Sequence, residues 1–170
     1  MSQGAMKYEK TEQFEGDLAK AIDVAKNTFL PNGFEIINSS DSALAVVNRS
    51  GLWGYNQHPL NGVSKASISP SSAGITLRAE FGGVTKMIRY LSLFIGGMVV
   101  FFLLVFGIVF GLMQGQPASR IFQISLAPFI PWPIIIPLMG IWLRKRACRA
   151  LDTLLSNMVA LGKQQTGNGK

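Results

Sequence analysis

The spacing of hydrophobic residues changes along the chain, and each spacing predicts a different kind of secondary structure. Over residues 12–30 apolar side chains recur at helical spacing, which predicts an amphipathic helix. Thr11 is the expected N-cap, and Leu30-Pro31-Asn32-Gly33 is the expected stop. The apolar stripe of this helix comprises Phe14, Leu18, Ala21, Ile22, Ala25 and Phe29.

Beyond Gly33 the period changes to two, which predicts strands over residues 33–38, 43–48, 62–68 and 74–81. The alternation indicates an antiparallel sheet with one solvent-exposed face and one face covered by a helix. We therefore expect an α+β fold, in which residues 11–83 form a small cytoplasmic module of one helix and a four-stranded antiparallel sheet. Residues 1–6 are not assigned to any element, and Gly82-Gly83 is expected to form a short hinge.

Residues 90–113 predict a first transmembrane helix. No charged residue occurs from Tyr90 to Ser119, and the continuous apolar run exceeds the roughly 20 residues that a helix needs to cross a bilayer. No cationic segment followed by an apolar core and a cleavage site opens the chain, so we expect this span to act as an uncleaved anchor.

Prolines interrupt the second uncharged stretch, residues 121–143, at positions 128, 131, 133 and 137. A proline inside a helix removes a backbone hydrogen bond, and lipid offers no water to replace it. We expect an extracytoplasmic loop or interfacial segment over residues 114–130 and a short, proline-kinked second transmembrane helix over residues 131–146. A re-entrant segment buried against other protein is the alternative to a spanning hairpin.

A further amphipathic helix is predicted over residues 147–162, followed by a polar tail over residues 163–170. The helix is expected to pack back on the sheet, since one helix alone would cover too little of the apolar face of a sheet of this size. Contact with another subunit or a partner is the alternative. Its apolar stripe is formed by Leu151, Leu154, Met158 and Leu161.

Charge is distributed unevenly along the chain. The net charge is +7 and the charged fraction is 15%, below the roughly 25% of soluble domains. Residues 1–89 carry almost no net charge. Residues 90–170 contain only one acidic residue, Asp152. This distribution does not favour a nucleic-acid groove. It predicts two cytoplasmic termini, because only Arg120 lies between the spans, while the flanking basic collar comprises Lys86, Arg89, Arg144, Lys145, Arg146 and Arg149.

The sequence offers few residues for catalysis or metal binding. His58 is the only histidine and Cys148 the only cysteine, so this chain by itself cannot assemble a two-histidine or four-cysteine metal site. No nucleophile elbow or phosphate-binding glycine loop occurs. We expect no catalytic residues, no metal and no cofactor, and a loop role for His58. Cys148 is expected to be a reduced structural thiol, with lipidation at the membrane boundary as the alternative.

Two motifs point to contacts with other helices or partners. Gly107, Gly111 and Gly115 are spaced by four residues, which is the small-residue pattern that lets transmembrane helices approach closely. Trp53 and Tyr55 lie in a loop between strands that could meet the bilayer interface, dock a partner or fold over the sheet edge.

The function expected from these features is that of a non-catalytic, membrane-anchored accessory or scaffold subunit of a larger membrane complex. Its expected partners are the lipid bilayer and other membrane proteins, with homo-oligomerisation possible and nucleic acid not expected. A membrane-tethered sensor with a ligand or lipid pocket between helix and sheet is the alternative. A pore-forming oligomer is a weaker one, since the apolar stretches 91–113 and 121–143 contain no ionisable residue.

Overall fold

The computed structural model describes residues 7–49, 58–109 and 117–163 of the chain. The chain divides into a sheet unit, Met1–Thr85 with Trp142–Lys170, and a helical unit, Lys86–Ile141. The fold is mixed α+β. The strands are β1 (Lys7–Glu12), β2 (Phe34–Ser39), β3 (Leu44–Asn48), β4 (Lys65–Ser71) and β5 (Gly74–Glu80), and the helices are α1 (Leu18–Phe29), α2 (Gly82–Phe106), α3 (Ala118–Leu126) and α4 (Trp132–Lys163).

The sheet has five antiparallel strands in the order β1-β5-β4-β3-β2, so the prediction of four strands was wrong by one. The additional strand is β1, which pairs along its whole length with β5, from Lys7 opposite Glu80 to Glu12 opposite Ile75. Its sequence, KYEKTE, has no apolar alternation that would reveal a strand. Backbone pairing and polar contacts hold β1 in the sheet.

Because β1 uses Thr11 and Glu12, helix α1 begins later than predicted. Its N-cap is Asp17 instead of Thr11, and the Asp17 carboxylate accepts hydrogen bonds from the backbone N–H groups of Ala19 and Lys20. The central part of the predicted stripe is buried, and the helix ends in a turn at which Gly33 adopts a φ of 80°. That left-handed conformation favours glycine and explains the stop.

The two faces of the sheet differ as the period of two predicts. One face contributes buried side chains that include Val46, Ile68 and Leu77, while the other carries Ser67 and Arg78. Strand β4 begins at Lys65, later than predicted, because Pro59–Gly62 forms a single 3-10 turn.

Helix α2 begins at Gly82, where a hinge was expected. The Ser64 hydroxyl accepts a hydrogen bond from the Gly82 N–H at 3.1 Å and donates one to the Glu80 carbonyl at 3.0 Å. A Cβ at position 82 would lie 2.8 Å from that hydroxyl oxygen. Gly82 therefore permits the close approach at which the helix starts, and Gly82-Gly83 forms the first two residues of α2.

The segment before α4 is more regular than predicted, since residues 118–126 form α3 and Ala127–Phe129 forms a 3-10 turn. Helix α4 starts at Trp132, and Pro133 falls in its first turn, where a proline costs little. Pro137 lies inside the helix. The segments predicted as a second span (131–146) and a C-terminal helix (147–162) belong to this one continuous helix.

The C-terminal part of α4 contributes a buried stripe to the sheet unit. Leu151, Leu154 and Met158 are buried as predicted, but Leu161 is 48% exposed and Leu155 is buried instead. The prediction failed at Leu161 because a repeat of four and three residues assumes 3.5 residues per turn, while a straight helix has 3.6. The buried side rotates accordingly, and near the helix end Gly162 contacts the Phe14 ring.

Candidate functional site

Two helical stretches are long and apolar enough to cross a membrane, Gly82–Val109 with 28 residues and Phe122–Lys163 with 42 residues. Their apolar side chains point outward, and Leu93, Phe101 and Leu138 are each more than half exposed. Contiguous apolar surface of this extent is unusual on a water-soluble protein. The surface of these helices is typical of segments that lie in lipid.

Within the helical unit, α2 and α4 approach closely at Gly140. A Cβ at this position would lie 2.6 Å from Cδ1 of Ile88, so the absence of a side chain makes room for Ile88. Sequence reasoning missed Gly140 because it is isolated in its apolar stretch and belongs to no repeat. Rings also cluster in this unit, where the Phe102 centroid lies 5.4 Å from that of Phe106 and 5.6 Å from that of Phe129.

Of the three glycines predicted to pack helices, the structure describes only Gly107. A Cβ there would meet no described atom within 4 Å, so Gly107 makes no close helix contact within the described part of the chain. Gly111 and Gly115 lie outside the described residues. Contact of Gly107 with a helix of another subunit stays a prediction.

The hydroxyl of Ser125 on α3 is fully buried and has no hydrogen-bond partner among the described residues. An unsatisfied buried hydroxyl costs about 1–3 kcal/mol. The other polar side chains of α3, such as Arg120 and Gln123, are exposed. Ser125 therefore marks a point where the helical unit lacks a partner for a polar group.

The basic collar divides between the two units. In the helical unit Lys86 and Arg89 are exposed near the start of the span. In the sheet unit four collar residues follow one another on α4, and the guanidinium carbon of Arg146 lies 5.5 Å from the centroid of the Trp142 ring. This distance is within the range of a cation–π interaction. Arg144, Lys145 and Arg149 are exposed, and Arg146 is half-buried.

A polar cluster joins β1 to the C-terminal part of α4. Asp152 Oδ1 accepts hydrogen bonds from the Tyr8 hydroxyl at 2.7 Å and from Lys10 Nζ at 2.8 Å. Lys10 also lies 3.1 Å from Glu12. The hydrogen bond from Lys10, followed by that from Tyr8, lowers the pKa of Asp152. Burial and the bond to Asp152 raise the pKa of Tyr8 well above its ordinary value.

The chain's one histidine has a structural contact. His58 Nδ1 accepts a hydrogen bond from the Leu60 N–H at 3.3 Å and thereby caps the 3-10 turn of Pro59–Gly62. Burial, followed by the positive charge of Arg146, lowers the pKa of His58, which keeps the imidazole neutral near pH 7. Cys148 is a free, half-buried thiol.

Trp53 and Tyr55, for which the bilayer interface, a partner and the sheet edge were the alternatives, lie outside the described residues.

The face of the sheet that carries Ser67 and Arg78, which we call the outer face, has a depression of about 240 Å³. The small side chains of Ala45 and Ser67 form its floor, between Arg78 on one side and Ile37 on the other. Arg78 donates two hydrogen bonds to one carboxylate oxygen of Glu9, at 2.9 and 3.0 Å. Sequence reasoning missed the depression because it arises from side-chain sizes on neighbouring strands.

No group of three or more His, Cys, Asp or Glu side chains in the described ranges could hold a metal ion. The chain matches no family model, no curated protein and no solved structure.

Proposed function

We propose that this protein is a non-catalytic accessory or scaffold subunit, anchored in a membrane by α2 and α4, that presents its sheet unit to a larger membrane complex. The observation that carries the proposal is the outward-facing apolar surface of the helical unit. Burial of apolar surface contributes on the order of 25 cal/mol per Å², so these helices are stable only in lipid or against other apolar helices.

The helical unit leaves room for a partner helix at Gly107. A Cβ at this position would meet no described atom within 4 Å. A helix of another subunit could therefore pack closely there. This open side favours a subunit of a complex over an isolated anchor.

The sheet unit supports a docking role. Its titratable groups near α4 serve structural contacts, in which Asp152 ties β1 to the helix. Its outer face offers the depression beside Arg78 and the exposed side chain of Ile37. A mixed polar and apolar surface of this kind is typical of non-obligate interfaces.

We further propose that both termini are cytoplasmic. The support is the distribution of basic residues, of which Lys86, Arg89 and the α4 group flank the spans while Arg120 lies between them. Single-cysteine variants at Ser119 and Ser156, made in a Cys148→Ser background, test this topology with a membrane-impermeant thiol reagent. Labelling of Ser119→Cys but not Ser156→Cys in intact cells supports the proposal, and the reverse pattern contradicts it.

The test of the accessory role is mild detergent extraction from native membranes, followed by native mass measurement. We expect a co-purifying membrane protein in constant stoichiometry. Replacement of Ile37 and Arg78 on the outer face should reduce that stoichiometry, whereas replacement of Lys20 and Asp23 on the exposed side of α1 should not. A monomer without any partner, extracted under conditions that preserve other complexes, would contradict the proposal.

The sensor alternative places a ligand between helix and sheet. There Ala21, Ile22 and Ala25 are fully buried, as are Ile75 and Leu77, and these side chains occupy the position that the ligand would need. The depression on the opposite face is the feature of the described residues that favours a small ligand. Density for such a molecule at Arg78, in protein without a partner subunit, would support this second function.

A further inference from the structure

One side of α4 combines an aromatic ring with three cations just after the apolar stretch. Trp142, Lys145, Arg146 and Arg149 occur at positions i, i+3, i+4 and i+7, the spacing that places residues on one side of a helix. We call these four residues the cationic face. It lies on the side of the helix opposite the buried residues Ala147, Leu151 and Met158.

The side chains of the cationic face are available to a ligand. Trp142 is 57% exposed, and Lys145 and Arg149 are exposed as well. Arg146 is oriented by its position over the Trp142 ring. Arg144 does not belong to the face, since its place on the helix is next to the buried side.

Acidic residues are scarce in the sequence around this face. Residues 81–170 contain a single acidic residue, Asp152, and its carboxylate is engaged by Lys10 and Tyr8. Among the described residues, neither Lys145 nor Arg149 forms an ion pair. Three cations side by side repel one another unless anions lie between them.

We propose that the cationic face binds the headgroups of anionic phospholipids. This inference rests on the proposed membrane attachment. Apolar side chains such as Leu138 and Ile141 are exposed just before the face on the same helix, so a bilayer that contains them brings headgroup phosphates to the level of Trp142 and the cations. Trp is favoured at the interface, and arginine binds phosphate through two parallel hydrogen bonds.

The test uses the full chain with Trp53→Phe and Trp132→Phe, which leaves Trp142 as the only tryptophan. The protein is reconstituted into phosphatidylcholine vesicles in which a fraction of the lipid is either brominated phosphatidylglycerol or brominated phosphatidylcholine. Bromine quenches tryptophan fluorescence by contact, so the ratio of the two quenching curves measures the preference of the face for the anionic lipid.

We expect stronger quenching by the anionic lipid, and a loss of about five-fold in that preference for each cation removed, the factor expected for one basic residue at an anionic surface. The variant Lys145→Gln/Arg149→Gln should therefore lose about 25-fold in preference. The matched control Lys7→Gln/Lys65→Gln removes the same charge from the outer face of the sheet and should keep the preference.

Equal quenching by both lipids in the parent protein would overturn the inference, and so would an equal loss in the variant and its control. A short RNA that abolishes the preference when added outside the vesicles would assign the face to nucleic acid and also overturn it. Flotation of the protein with phosphatidylcholine vesicles is measured in parallel. Protein that fails to float would refute the membrane attachment itself, together with this inference, whereas protein that floats without lipid preference refutes the inference alone.

Discussion

Replacement of Asp152 should loosen β1 from the sheet unit. In Asp152→Ala the Tyr8 hydroxyl and the Lys10 ammonium lose a shared acceptor at 2.7 and 2.8 Å. A part-buried hydroxyl left without a partner costs about 1–3 kcal/mol. Lys10 is exposed enough for water to replace its lost contact, so we expect a loss of about 1–2 kcal/mol, mostly through Tyr8.

The matched control is Asp23→Ala, which removes an exposed ion pair with Lys26 on α1. Such a pair contributes about 0–0.5 kcal/mol. Both variants are unfolded with urea in nonionic detergent, and hydrogen exchange of the β1 peptide is followed by mass spectrometry. We expect faster exchange in β1 for Asp152→Ala only. The double variant with Tyr8→Phe should recover part of the loss, because no hydroxyl is then left unpaired.

The pH dependence has a defined sign. The pKa of Asp152 is lower in the folded protein than in the unfolded chain, so its contribution is complete at neutral pH. It is lost as the pH falls below about 4 and through the folded-state pKa. Equal stability losses for Asp152→Ala and Asp23→Ala at pH 7, with unchanged exchange in β1, would refute the role assigned to the cluster.

Three further predictions follow from burial and close contacts. Gly140→Leu should destabilise the helical unit by about 1–3 kcal/mol through overpacking, while Gly107→Leu should not. Thermal unfolding in detergent, followed by the loss of helical circular dichroism, measures both variants. Equal effects would contradict the close approach at Gly140. Leu155→Ala should cost about 2–5 kcal/mol, whereas Leu161→Ala should change the urea midpoint little, and the opposite ranking would restore the predicted stripe. The pKa of Tyr8 is raised in the folded protein, so its contribution to the free energy of unfolding is complete below about pH 10 and is lost at higher pH as tyrosinate forms in the unfolded chain. Tyr8→Phe should reduce this alkaline loss of stability. An identical midpoint of alkaline unfolding in the variant would count against this prediction.

The parts of the fold that sequence could predict are those in which burial imposes a period. Strands β2 to β5 were predicted near their observed positions because apolar and polar residues alternate across a half-buried sheet. The apolar stretches were predicted from length and lack of charge alone. Both patterns have one physical cause, the transfer of apolar side chains out of water. In the strands it acts on every second residue, and in the apolar stretches it acts on the whole segment.

Strand β1 could not be predicted in this way. It is an edge strand whose side chains are mostly polar, and its place depends on backbone pairing with β5 and on Asp152, which lies 142 residues from Lys10 in sequence. Edge strands commonly carry charged residues, because these discourage pairing with other chains. The property that protects β1 therefore removes the pattern by which it would be recognised.

The division predicted within α4 shows how an interpretation of charge led to a helix boundary that the structure does not have. The cluster Arg144–Arg149 was interpreted both as the edge of the membrane and as the end of a helix, but only the first follows from electrostatics. Arginine and lysine are good helix formers, and no proline or glycine occurs between Ile141 and Leu161. The backbone therefore has no reason to break where the surroundings change. A single helix can expose apolar side chains at Leu138, carry the cationic face about one to three turns later and bury Leu151 beyond it, because each property depends on side chains alone. The cations of α4 thus bear on where the helix is proposed to meet the headgroups, while its start is set by Pro131 and Pro133.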